Sequence, residues 1–183
     1  MTPGDFGHPA LSFLNTVTDD GKTRARNSFA RGDELLAELV ACGLAPRGMQ
    51  VPGAGQIAAL MTLREAAYGV FSAMAAGRKP GREEALTLET AMKSALQDAS
   101  FTFRGDGLSI AAGPLGGIYD RVALGLFDLM QRSDLDRIRE CKRCTHIFLD
   151  HGRGRGRRWC SMARCGNRAK AATFRARQRA HIV

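Results

Sequence analysis

The sequence predicts a mainly α protein in two parts. Residues 1–133 read as a helical domain with one small β-hairpin, and residues 134–183 as a cysteine-bearing module of knuckle, β-hairpin and helix. Three observations carry this reading. Apolar residues recur at helical spacing in four separate stretches. Two short alternating runs flank Gly105-Asp106-Gly107. Four of the five cysteines lie between positions 141 and 165, beside a dense run of arginine.

The elements follow in chain order. Gly7-His8-Pro9-Ala10-Leu11-Ser12-Phe13-Leu14-Asn15-Thr16 is a short apolar run that fits a strand or a short helix after Pro9 equally well. Thr18 to Arg26 is polar and reads as an exposed loop. A helix is predicted from about Arg31 to Cys42, with Leu35, Leu36, Leu39 and Val40 at helical spacing and Gly43 as its stop. Residues 45–55 carry two Pro and three Gly and form a linker. A longer helix spans about Gln56 to Ala76, with Ile57, Leu60, Met61, Ala67, Phe71 and Met74 on one face. A third runs from about Arg82 to Ala99, with Leu88, Met92, Ala95 and Leu96 inward. The hairpin around Gly105 comes next. The fourth helix, about Pro114 to Gln131, places Ile118, Val122, Leu126 and Leu129 on one stripe.

Composition sets the class. The chain of 183 residues is 44% hydrophobic and 25% charged, which suits a globular protein and excludes wholesale disorder or a rod. No apolar run approaches the ~20 residues of a membrane helix. The N-terminal residues lack the basic and apolar regions of a signal peptide. The expected compartment is therefore the cytoplasm, where cysteines stay reduced. Charge is unevenly spread. From Arg137 onward there are 14 Lys and Arg against two acids, Glu140 and Asp150, whereas the preceding residues hold 13 bases and 16 acids. A mildly acidic body joined to a strongly basic end calls for a polyanionic partner, of which nucleic acid is the commonest.

The chemistry lies in the C-terminal module. Cys141, Cys144, Cys160 and Cys165 are spaced C-x2-C, fifteen residues, C-x4-C. Four thiolates brought to one point satisfy tetrahedral zinc, and a closed four-sulfur set leaves no position for a reactive water. The expected cofactor is thus structural Zn2+. Redox-active or merely buried cysteines are the alternative. Ile147-Phe148-Leu149 and Arg158-Trp159 are expected to pair as strands across the Gly/Arg-rich turn, with the second cysteine pair opening a helix over about 163–180. Ile138, Ile147, Phe148, Leu149, Trp159, Met162 and Phe174 are too few apolar residues to hold such a unit alone, so the metal is expected to fold it. His146 and His151 are not assigned as ligands, and Cys42 reads as a small core residue.

The module also positions cations. The turn carries Arg153, Arg155, Arg157 and Arg158, and the helix carries Arg164, Arg168, Lys170, Arg175, Arg177 and Arg179. Arg164, Arg168, Arg175 and Arg179 fall on one helical face by spacing. Residues 151–183 contain no acid, which distinguishes them from an ordinary solvated face of mixed sign. The expected nucleic-acid contacts are Arg153, Arg155, Arg157, Arg158, Arg164, Arg168, Lys170, Arg175 and Arg179, since arginine forks match phosphates and guanine edges.

Arg158-Trp159-Cys160-Ser161-Met162-Ala163-Arg164-Cys165-Gly166-Asn167-Arg168-Ala169-Lys170, with Phe148-Leu149-Asp150 before it, closely resembles the signature of the CGNR zinc finger. The run from Gly7 to Thr16 resembles the opening of the ABATE domain that precedes this finger. The paired resemblance covers nearly the whole chain and implies a bacterial, stress-induced transcription regulator. It implies Cys141, Cys144, Cys160 and Cys165 as zinc ligands, with Gly166, Asn167 and Arg168 completing the signature. Gly166 would let the backbone turn closely at the metal, and Asn167 would cap or hydrogen-bond a ligand sulfur. Trp159 is expected to pack under the finger.

The function expected is a zinc-dependent DNA-binding regulator, nucleoid-associated when bound. An RNA-binding module and a protein-interaction adaptor use the same finger in the alternative readings. The helical body is expected to sense a small-molecule effector, with His8 and Asn15 as candidate pocket residues, or to form a homodimer. No Ser/His/Asp set, HExxH or dinucleotide fingerprint is present, and the adjacent Asp19 and Asp20 read as solvated, so no enzyme is expected.

Overall fold

A computed structural model describes residues 6–18, 21–105, 107–113, 116–152 and 156–180. The opening segment resolves as a helix, α1 (Pro9–Leu14), because Pro9 suits a first helical turn and the His8 Nδ1 caps it by accepting from the Ala10 N–H. Helices α2 (Gly32–Ala41), α3 (Ala54–Ala75) and α4 (Arg82–Gln97) follow the predicted stripes. Strands β1 (Ser100–Arg104) and β2 (Gly107–Ala111) form the expected antiparallel hairpin, with Phe101 opposite Ile110 and Phe103 opposite Leu108. α5 (Ile118–Met130) starts four residues later than the sequence suggests, at an N-cap where the Gly117 N–H donates to the Asp120 carboxylate. Positions 114 and 115 of that expected start lie outside the described residues, as do Asp19, Asp20 and Asp106.

The body packs α3 on α4 and α4 on α5, with α1 set against α3 and α5. Phe13, Leu35, Leu39, Leu60, Leu63, Phe71, Val122, Leu126 and Leu129 are buried at its centre. Burying aliphatic and aromatic side chains contributes about 1.5–3 kcal/mol each, so these stripes hold the body without help from the metal. Arg64 is buried within it at 3% exposure. Its guanidinium donates to the Thr16 carbonyl at 2.8 Å, the Asn27 side chain at 2.9 Å and Glu65 at 2.8 Å, tying the loop after α1 to α3. Burial lowers its affinity for the proton; the Glu65 carboxylate acts the other way.

After a 3-10 turn (Leu135–Arg137) the chain forms β3 (Ile138–Glu140), β4 (Ile147–Leu149), a π-helical turn (Met162–Gly166) and α6 (Asn167–Ala180). The knuckle, hairpin and helix are all present, but the expected hairpin pairing is corrected. β4 pairs antiparallel with β3, not with Arg158-Trp159. The Gly/Arg-rich turn is tied to Asp150 instead, and the Arg158 carbonyl accepts from the Lys142 N–H at 3.0 Å. β3 and β4 lie against α3, and Ile138, Ile147, Phe148 and Leu149 join the same buried cluster as the helical body. Met162 and Phe174 remain exposed, so they add nothing to a finger core.

Candidate metal centre

The C-x2-C knuckle hangs between β3 and β4. The Cys141 N–H closes it by donating to the His146 carbonyl at 2.9 Å. A lysine from the N-terminal body secures it. The Lys22 Nζ donates to the carbonyls of Cys141 and Cys144 at 2.8 and 2.9 Å and pairs with Glu140, which also accepts from the Ser72 hydroxyl at 2.7 Å. β4 is held on both edges. β3 takes one. On the other, Asn15 brackets Ile147, accepting from its N–H at 2.9 Å and donating to its carbonyl at 2.7 Å, while the Leu149 N–H donates to the Phe6 carbonyl at 2.9 Å.

The second cysteine pair arrives on the π-turn. Ser161 opens it, its hydroxyl accepting from the Arg164 N–H at 3.3 Å. Gly166 passes directly beneath Trp159 and Met162; a Cβ there would meet the Met162 sulfur at 2.5 Å and Trp159 at 3.2 Å. This is the close approach expected of the glycine. Asn167 contacts no sulfur; its Nδ2 donates to the Ala163 carbonyl at 3.2 Å.

All four cysteines are buried, and their sulfurs lie within 4.8 Å of one another. The Cys144, Cys160 and Cys165 sulfurs form a triangle with sides of 3.6 Å. Zinc–sulfur bonds of 2.3 Å in a tetrahedron place sulfurs about 3.8 Å apart, so the donor set has the dimensions zinc requires. Its acid–base balance points the same way. Hydrogen bonds from the Cys144 and Cys160 thiols hold Cys141 far below the ordinary thiol range. The Cys141 thiolate in turn pushes Cys144 up to about 12 and drives Cys160 higher still. A divalent cation is what lets all four act as thiolates. The centre is closed and fits structural zinc.

Asp150 organises the turn between the pairs. Its carboxylate accepts from the Gly152 N–H at 2.9 Å and the Arg157 N–H at 2.8 Å. Burial pushes its carboxyl up, but these hydrogen bonds together with the charges of Arg139 and Arg157 outweigh it and hold the group below the usual carboxylate range. Arg157 turns inward, against its expected role. Its guanidinium lies 4.6 Å from the Phe148 ring and donates to the Trp159 carbonyl at 2.8 Å and to the Cys160 carbonyl. Arg153 and Arg155 lie outside the described residues.

Of the other predicted cations, Arg168, Lys170, Arg175 and Arg179 are on α6. Every described side chain from Lys170 to Arg179 is exposed, and α6 rests on the π-turn that precedes it. Arg168, Arg175 and Arg179 share one stripe. Arg164 sits in the wider π-turn, half-buried, and does not continue their register. A second stripe, with Lys170, Phe174 and Arg177, faces Arg158 and Trp159 across a shallow groove. Trp159 is half-buried, with the Arg158 guanidinium 5.4 Å from its ring. Arg177 was outside the predicted contact set, although its spacing from Lys170 and Phe174 was readable.

His8 and Asn15 do not share a pocket. Asn15, 1% exposed, spends both ends of its amide on Ile147. His8 lines a separate cleft, where its Nε2 meets Asp128 at 2.9 Å. His146, also buried, sets its Nε2 3.2 Å from the Val17 carbonyl and its ring edge-on to Phe6. Neither histidine left out of the metal set belongs to the sulfur cluster.

A helical body carrying a buried four-sulfur site on a knuckle, hairpin and helix defines a structural zinc-finger protein. Comparison with family models assigns it further. Residues 7–141 match the ABATE family, described as "Putative stress-induced transcription regulator", and residues 137–178 match the CGNR zinc finger. The chain belongs to the ABATE family and ends in a CGNR finger. No curated protein matches it. Among the described residues no helix is long and apolar enough to cross a membrane.

Proposed function

We propose that this protein is a zinc-dependent transcription regulator that binds duplex DNA through its finger. Structural zinc on Cys141, Cys144, Cys160 and Cys165 fixes the π-turn, and the π-turn projects α6 with Arg168, Lys170, Arg175, Arg177 and Arg179. The observation that carries the reading is the bare helix. α6 has no acid and no buried side chain from Lys170 to Arg179. An isolated helix of this length is marginal in water, and its like charges repel. A polyanion removes that repulsion. Arg158 extends the same basic surface, and Arg153 and Arg155 add two more cations to the sequence of the turn before it.

The test is the affinity of the zinc-loaded protein for duplex DNA across a salt series. About six phosphate contacts give a slope of log affinity on log salt near −5. A slope near zero defeats the proposal. One feature favours a second reading, an RNA or single-strand binder. Phe174 is 62% exposed beside Lys170 and Arg177, opposite Trp159, and aromatic rings amid cations stack on unpaired bases. Competition between duplex DNA and single-stranded RNA separates the two.

A further inference from the structure

The helical body carries a second site, remote in chemistry from the finger. A cleft of 520 Å³ opens between α1, α5 and the β1–β2 hairpin, a size suited to a small organic ligand. One wall is apolar. Leu108 and Ile110 of β2 face Leu124 and Phe127 of α5. Phe101 and Phe103 are their cross-strand partners on the same hairpin face, and they are 51% and 84% exposed. A hairpin that spends four large apolar side chains on an open face has surface left to cover.

The cleft also holds one cation. Arg121 lines it from α5, and its Nε is shielded from solvent with no hydrogen-bond acceptor. No described carboxylate pairs with it; Asp128, one face-repeat further along α5, is engaged by His8. Ala10 donates to the His8 Nδ1, so in the neutral ring the Nε2–H donates to Asp128. A shielded donor without a partner is destabilising, and a bound acceptor would remove that cost.

We propose that this cleft binds a small organic monocarboxylate, its head on Arg121 and its apolar body against the hairpin and α5. A single guanidinium beside an existing carboxylate matches one negative charge. A dianionic phosphate would meet Asp128, and a neutral apolar ligand would leave Arg121 unsatisfied. Gly125 sets the floor, since any Cβ there would strike Leu44 at 2.4 Å.

The probes are octanoate and 4-phenylbutyrate, with octanamide and 4-phenylbutyramide as uncharged counterparts, titrated into the zinc-loaded full chain by calorimetry without nucleic acid. The carboxylates are expected to bind saturably and at least tenfold more tightly than their amides. Arg121→Gln should weaken them at least tenfold, and Arg121→Lys by less, because the charge remains while the fork is lost. Arg121 bonds to no described residue through Nε, so both variants should fold with full zinc content and an unliganded melting temperature no lower than that of the parent. Absence of saturable carboxylate binding overturns the proposal. So does equal binding of the amides, or unchanged binding by an Arg121→Gln protein that is folded and zinc-loaded.

Discussion

The two halves of the metal centre are built on opposite principles. The knuckle half, Cys141 and Cys144 with β3 and β4, is locked into the body. Lys22 takes its carbonyls, Asn15 and Phe6 complete its outer edge, and its apolar residues belong to the common core. The helical half, Cys160 and Cys165 with α6, has a half-buried tryptophan, an arginine folded across the turn, a buried patch at Cys160, Cys165 and Gly166, and a helix exposed from Lys170 to Arg179. Both halves supply two sulfurs. For the first, zinc is an addition to a structure already held; for the second it is the main anchor.

Removing the metal should break this comparison most visibly. Structural zinc contributes roughly 10–16 kcal/mol of apparent binding energy, and the helical half has little to replace it. Chelation, or Cys160→Ser, should strip amide-exchange protection from residues 160–180 while α1–α5 and β4 stay protected. Helical circular dichroism should fall by the share of α6 alone, and DNA binding should be lost. Loss of protection across the whole chain would show that the halves are not separable.

A smaller effect sharpens the same contrast from the other side. Asn15→Ala leaves the Ile147 N–H and carbonyl buried without partners, at about 1–3 kcal/mol each. The body should therefore melt about 4–24 °C lower for a chain of this size, although position 15 lies 132 residues from its partner. Thermal unfolding of the zinc-loaded variant measures it. A change under 1 °C would mean that β4 does not depend on the bracket.

The smallest expected effect lies between the halves, at Asp150. Asp150→Asn should cost about 1–2 kcal/mol by weakening charged hydrogen bonds to the turn. Because the folded carboxyl is held low, its contribution is present above the unfolded value of ~3.9 and is lost as pH falls through the folded value. The stability gap between the native protein and the variant should thus be constant near neutrality and close below about pH 4. Denaturant titrations at several pH values check it.

Much of this was legible in the sequence, for a physical reason. The stripes of α2 to α5 each bury one face, so the period of 3.6 survives in the residue order. The four ligands were readable because only cysteines at such spacing make a closed sulfur site. The hairpin partner of β4 was not. Ile138-Arg139-Glu140 is three residues long and mostly charged, so it carries no strand pattern, whereas the glycine-rich stretch before Arg158-Trp159 reads as a hairpin turn. Asn15 was a candidate pocket residue by analogy with helical sensor domains. Its real role is a backbone bracket, and no local signal announces a partner so distant. Arg157 was grouped with the other arginines of the turn because charge does not reveal that a side chain folds back over Phe148.

The Asn15 bracket has a consequence for how the protein comes into being. During synthesis α1 emerges early, and its asparagine faces a missing strand until the last quarter of the chain has been made. Loops that must close over such separations do so late. The finger is therefore also the closing piece of the N-terminal body, and a ribosome that stops short of it releases a body with an open seam. For the same reason residues 137–178 moved onto another scaffold would take their sulfurs with them and leave Asn15 and Lys22 behind.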